Sequence, residues 1–158
     1  MLSACARQPL PIDELPQCAS PVATATPGGW RRVTERHNFA FFLPPSCVEE
    51  QDAPRFVHGG QRWRCGTMTV DVVWGMWGLR SFGQRESQCK RTDGNVPVLE
   101  STQHTGDQYR QVVWYLTGHG HEPAVSAWSA VPTDVPLIRA VTASGVFLGL
   151  RGRGHDGR

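Results

Sequence analysis

The stretch Thr67–Gly78, TMTVDVVWGMWG, constrains this chain more than any other. Met68, Val70, Val72, Trp74 and Met76 share one parity, and Thr67, Thr69 and Asp71 share the other. Successive side chains of a strand point to opposite faces, so this alternation predicts a strand with one buried face and one wet face. On that reading Asp71 is a solvated carboxylate. At the far end Val73 and Trp77 join the polar parity, and Gly75 and Gly78 interrupt the run, as where a strand bends or stops.

The other apolar segments read as elements packed around this one. Trp30–Glu35 and Phe39–Leu43 predict two strands joined across Arg36-His37-Asn38, with Asn38 suited to a turn that needs positive φ. Pro44-Pro45 ends the second. A short helical turn is expected at Val48–Asp52, and Arg62–Cys65 leads into the central strand. Gln88–Thr92 and Val96–Thr102 flank Asp93-Gly94-Asn95, a hairpin signal, and Pro97 suggests that its arm lies at an edge. Tyr109–Leu116 and Ala124–Val131 predict two further strands.

One helix is expected, Thr133–Ser144. Thr133 suits an N-cap, Asp134 lies near the positive end of the dipole, and Pro136 is tolerated in the first turn. Leu137, Ile138, Val141 and Ser144 form the inner stripe, and Gly145 is the stop. The expectation is an α+β domain over residues 30–150: an antiparallel sheet of about six to eight strands with the C-terminal helix packed on one face. Residues 151–158 form a Gly/Arg tail, expected to be disordered.

Charge narrows the partners. Arg151, Arg153 and Arg158 against Asp156 account for the whole net charge of +2, which leaves the rest of the chain neutral. A nucleic-acid surface needs clustered positive charge on the folded part, so no nucleic-acid partner is expected. No run approaches eighteen apolar residues, so no membrane-spanning helix is expected.

Residues 1–29 read as a tether. Ala6–Gly29 carries Pro9, Pro11, Pro16, Pro21 and Pro27 among Ala, Ser and Thr, a composition that favours a disordered, semi-extended spacer over a packed element. Ahead of it stands Leu2-Ser3-Ala4-Cys5, which resembles the lipobox of bacterial lipoproteins. That resemblance implies a diacylated Cys5, a membrane partner and a place in the cell envelope. The alternative is an ordinary N-terminus with a stray Cys.

With Cys5 lipidated, Cys18, Cys47, Cys65 and Cys89 remain, an even set compatible with two disulfides in an oxidising compartment. Of the three pairings, Cys65 with Cys89 is favoured because both flank predicted strands, with Cys18 to Cys47 pinning the tether to the core. The competing reading is a cytoplasmic protein with reduced, buried thiols. The spacing holds no CxxC pair, so structural zinc through thiolates is not expected.

The order of elements resembles the PsbP-like fold family, carried by Phe39–Pro44, the Asp93-Gly94 hairpin and the closing run Ala127–Phe147. The resemblance implies accessory and binding roles, lipid-anchored envelope proteins among them, and no shared catalytic residues. For chemistry, the candidate is Gly118-His119-Gly120-His121-Glu122: with His58, a metal site of His58, His119, His121 and Glu122 would suit a small metal-dependent hydrolase. The flanking Gly and Pro favour an ordinary turn there. No GxSxG elbow or phosphate-cradling loop is present. Trp63, Trp74 and Trp77 are candidates for a binding platform, against the commoner use of aromatics in a core. The reading is therefore a non-enzymatic, lipid-anchored envelope domain without a cofactor, binding an envelope protein, glycan or lipid. Its alternative is the metal-dependent hydrolase.

Overall fold

The computed structural model describes residues 12–19, 27–35, 39–51, 60–74, 87–93, 95–116 and 122–147. In chain order the strands are β1 (Arg31–Glu35), β2 (Phe39–Leu43), β3 (Val48–Glu49), β4 (Gly60–Cys65) and β5 (Met68–Trp74). Then come β6 (Ser87–Asp93), β7 (Val96–Thr105), β8 (Gln108–Tyr115) and β9 (Pro123–Ser129), the helix α1 (Val135–Ala143), and β10 (Val146–Phe147). Seven strands make one antiparallel sheet in the order β3-β4-β5-β9-β8-β7-β6, and β1-β2-β10 make a second. The class is α+β, with the C-terminal helix against the sheet.

Turn chemistry sets the register. The β4–β5 hairpin pairs Cys65 with Met68 across Gly66-Thr67, and the β7–β8 hairpin pairs Thr105 with Gln108 across Gly106-Asp107. Both glycines hold positive φ, +63° and +59°, as the first position of a tight hairpin loop demands. Asp93 pairs with Val96 at the expected β6–β7 turn. β7, however, is not an edge strand. Pro97 is tolerated because the β8 ladder runs out there: its carbonyl accepts the Leu116 N–H at 2.9 Å, and no N–H is available to continue the pairing.

The alternation in β5 holds on one face. Met68, Val70 and Val72 are wholly buried, beneath Phe39, Phe41 and Leu43 of β2 and Ile138 and Val141 of α1. Phe39 lies 4.8 Å from the Tyr115 ring and Phe41 5.3 Å from Trp63, the latter edge-on. Burying each such ring contributes about 1.5–3 kcal/mol. The other face is not wet, contrary to expectation: Thr69 is 6% and Asp71 5% exposed. β5 is central, paired with both β4 and β9, and the side chains of those neighbours rise over its second face.

The helix begins later than expected. A 3-10 turn spans Pro132–Asp134, and Asp134, not Thr133, stands at the N-cap of α1. The Asp134 carboxylate accepts hydrogen bonds from Thr67 Oγ1 at 2.5 Å and Ser129 Oγ at 2.6 Å, which fasten the helix start to the β4–β5 turn and the end of β9. At the other end Ser144 Oγ accepts from Phe42 N at 2.9 Å and donates to Val141 O at 2.6 Å, seating the last turn on β2. Gly145 is needed there for space. A Cβ would fall 2.6 Å from Tyr115 Cζ and 2.9 Å from Phe39 Cζ.

Two more expectations are corrected. Val48–Glu49 is a strand, not a helical turn, because it pairs with Arg64 and Trp63 of β4. The disulfides are Cys18–Cys89 and Cys47–Cys65, not Cys65–Cys89 and Cys18–Cys47. Cys47 precedes β3 and Cys65 ends β4, so the β3–β4 pairing brings their Cα atoms to 4.1 Å. Cys65 and Cys89 lie on strands five places apart in the sheet, about 24 Å at the usual spacing, beyond the reach of a disulfide.

Candidate functional site

Two features outside the main core bring polar chemistry together. The first is the second face of the large sheet. Arg62 and Asp71 stand equidistant from the Gly66-Thr67 turn and are cross-strand partners. Arg62 Nε and an Nη donate to the two carboxylate oxygens of Asp71 at 2.7 and 2.8 Å, a two-pronged ion pair. The Asp71 hydrogen bond raises the pKa of Arg62, with burial opposing it.

Trp128 of β9 rises beside this pair. The Arg62 guanidinium lies 5.1 Å from its ring centroid and that of Arg110, from β8, lies 4.3 Å away, both in cation–π range. Burial lowers the pKa of Arg110, with Asp71 counteracting and Arg62 adding to the shift. Two guanidiniums and one carboxylate meet here, and the Glu50 charge also acts on Arg62. Around them, Ser126 Oγ, Ser101 Oγ and Gln103 Nε2 are buried and without hydrogen-bond partners among the described residues. Exposures of 4%, 1% and 6% place these three residues beneath the half-buried Arg62, Arg110 and Trp128. Among the described residues the chemistry of this face is charge pairing and stacking.

The second feature is the β6 edge. Residues 12–18, expected within the disordered tether, are docked there. Ile12–Glu14 is a 3-10 turn, and Gln17 forms a parallel bridge with Lys90. Lys90 N donates to Pro16 O and Cys18 N to Lys90 O, each at 2.8 Å, while Lys90 Nζ donates to Asp13 O at 2.6 Å. Leu15 is buried against Leu99, Val112, Trp114 and Ala124. The Cys18–Cys89 disulfide locks this segment in place. An open strand edge is a template for unwanted pairing, and the segment covers it.

Sulfur and carboxylate groups meet at the same place: Cys18, Cys89 and Glu100 offer ligand atoms within 4.8 Å of one another. The disulfide removes the thiolates that zinc or copper would take, so the set is not a metal centre in this state. Glu100 is instead paired with Arg91, Nε to Oε1 at 2.7 Å. Beside that pair, Tyr115 is fully buried and donates to Gly145 O at 3.0 Å.

Burial pushes the Tyr115 phenol up to about 12, with the Arg91 charge and hydrogen bond opposing. The folded pKa exceeds the unfolded value of about 10, so the neutral phenol's contribution is complete below that pH and is lost as pH rises towards 12. Between pH 10 and 12 the protein should lose about 2–3 kcal/mol more than Tyr115→Phe does. Denaturant melts of both proteins across that range check this; parallel curves would mean that Tyr115 ionises as in the unfolded chain.

The residues expected from sequence divide sharply. Trp63 and Trp74, candidates for a binding platform, are 3% and 7% exposed and belong to the main core. Glu122 is buried just before β9. Cys5, Trp77, His58, His119 and His121 lie outside the described residues. Sequence reading passed over Arg62, Arg110 and Trp128. The signal for Arg62 was its placement opposite Asp71 across the hairpin, but no local pattern links Arg110 and Trp128 to it. Comparison with known protein families and with characterised proteins finds no match to this chain.

Proposed function

We propose that this chain is a non-enzymatic, lipid-anchored accessory or binding domain of a bacterial cell envelope, PsbP-like in fold and tethered through a lipid on Cys5. The observation that carries this reading is the cysteine arrangement. Two disulfides use Cys18, Cys89, Cys47 and Cys65. The one cysteine left over is the Cys of the lipobox-like Leu2-Ser3-Ala4-Cys5. Disulfides persist in oxidising compartments, which supports an envelope location, and two acyl chains on one Cys would anchor stably.

Expression in a bacterial host with the genomic sequence upstream of Met1 tests the reading. The wild-type protein should fractionate with membranes and carry a diacylglycerol mass on Cys5, and Cys5→Ser should move it to the soluble fraction. An unmodified Cys5 in a soluble wild-type protein would remove the proposal.

A further inference from the structure

The two disulfides differ in their surroundings. Cys47 and Cys65 are buried in the main core, whereas Cys18 and Cys89 are half-buried at the β6 edge, within reach of a reductant. Beside this second bridge stands a carboxylate. Glu100 is the cross-strand partner of Cys89, so the two side chains share one face of the β6–β7 ladder. Glu100 Oε2 lies 3.9 Å from Cys89 Sγ, and Cys18, Cys89 and Glu100 offer ligand atoms within 4.8 Å of one another. A thiolate and a carboxylate oxygen on one tetrahedral zinc stand roughly 3.6 Å apart, from the usual Zn–S and Zn–O lengths. The Cys89–Glu100 separation is already close to that of a ligand pair.

We propose that Cys18, Cys89 and Glu100 form a zinc site that exists when the Cys18–Cys89 bond is reduced, with water in the fourth position. A dithiol reductant gives up two electrons and two protons and closes to its own disulfide, which leaves Cys18 and Cys89 as thiols. Zinc then displaces the two thiol protons and binds both thiolates and Glu100 Oε2. The sulfurs move from bonding distance to roughly 3.8 Å, the spacing of two thiolates on one tetrahedral zinc, by side-chain rotation. Two features prepare the site. The Cys18 N–H bond to Lys90 O, the Lys90 N–H bond to Pro16 O and the buried Leu15 hold Cys18 beside β6 without help from the sulfur bond. Arg91 Nε donates to the other Glu100 oxygen at 2.7 Å, the outer contact that orients a ligating carboxylate. Disulfide and zinc are thus alternative clamps on residues 12–18, selected by redox state. The two cysteines are 71 positions apart, so no CxxC-type spacing announces the site. Cys5 plays no part in it, so the site stands or falls separately from the anchoring reading.

The test uses the full chain carrying Cys5→Ser, which removes the unpaired thiol. A phosphine opens the disulfide and leaves as its oxide with an oxygen from water, and alkylation of an aliquot with peptide mass mapping shows which cysteines are reduced. Zinc is titrated against a chromogenic zinc indicator, and cobalt(II) in parallel for its thiolate charge-transfer band. The reduced chain should take up one zinc and show the cobalt band, and the oxidised chain should do neither. Glu100→Gln should weaken zinc binding by about ten-fold or more. Hydrogen-exchange protection of the Lys90 amide, lowered by reduction, should return with zinc. No uptake by a chain whose Cys18 and Cys89 are shown to be reduced overturns the site. So does uptake that persists in Cys18→Ser/Cys89→Ser under the same treatment, or a Glu100→Gln protein that binds zinc as tightly as its parent. A Cys18–Cys89 bond that opens only when the chain unfolds overturns it too, since the site needs the folded edge.

Discussion

Asp71→Ala will destabilise this protein by about 3 kcal/mol, at the lower end of the range for breaking a buried ion pair. The carboxylate side chain is 7% exposed and accepts both bonds from Arg62, so its loss removes the strongest partner of a guanidinium that also lies beside Trp128 and Arg110. The Arg62 side chain keeps 19% exposure, enough to recover some hydration, which is why the lower end applies. Asp71→Asn, which keeps one acceptor and the volume, should lose less. Arg62→Met with Asp71→Val should recover most of the loss, because a packed apolar pair avoids desolvating two charges. Urea unfolding of the four proteins decides the matter; an Asp71→Ala protein within about 0.5 kcal/mol of wild type would mean that the pair is solvated.

The largest effect is expected from Cys18→Ser/Cys89→Ser. Cross-linking residues separated by 71 positions removes enough chain entropy from the unfolded state to contribute about 4 kcal/mol, against about 3 kcal/mol for the 18-residue separation of Cys47–Cys65. The consequence is also local. Freed of the bond, residues 12–18 keep their backbone pairing and Leu15 contact only by their own affinity for the edge. Hydrogen exchange should show the Lys90 and Cys18 amides losing protection while the β5 and β9 amides keep theirs relative to the protein's new global stability. Retained protection at Lys90, whose N–H is bound to Pro16 O, would show that the segment docks without its disulfide.

Both effects depend on which distant segments the sheet brings together. Alternation predicts one wet face and hence a solvated Asp71, and that inference fails in a central strand. Period two reports how residues divide between faces, not what covers each face. The cover here comes from Arg62, Arg110 and Trp128, on three other strands. For Trp63 and Trp74 the commoner use of aromatics at strand spacing holds, since packing under β2 places both in the core.

Local physics was legible. The Asp93–Val96 turn, the strands Phe39–Leu43 and Met68–Trp74, and the helix ending before Gly145 follow from φ preferences, side-chain periodicity and proline or glycine placement within a few residues. The sequence by itself thus determined the α+β class and four cysteines free to pair once Cys5 was set aside. Only the tertiary structure decided the strand order, and with it that Cys18 meets Cys89 and Cys47 meets Cys65. Strand order also decided that Asp71 is enclosed and that part of a Pro-rich leader becomes the cover of a sheet edge. The reason is one of range: backbone geometry and turn residues act on neighbours along the chain, whereas burial, ion pairing and disulfide reach depend on which distant segments the sheet places side by side.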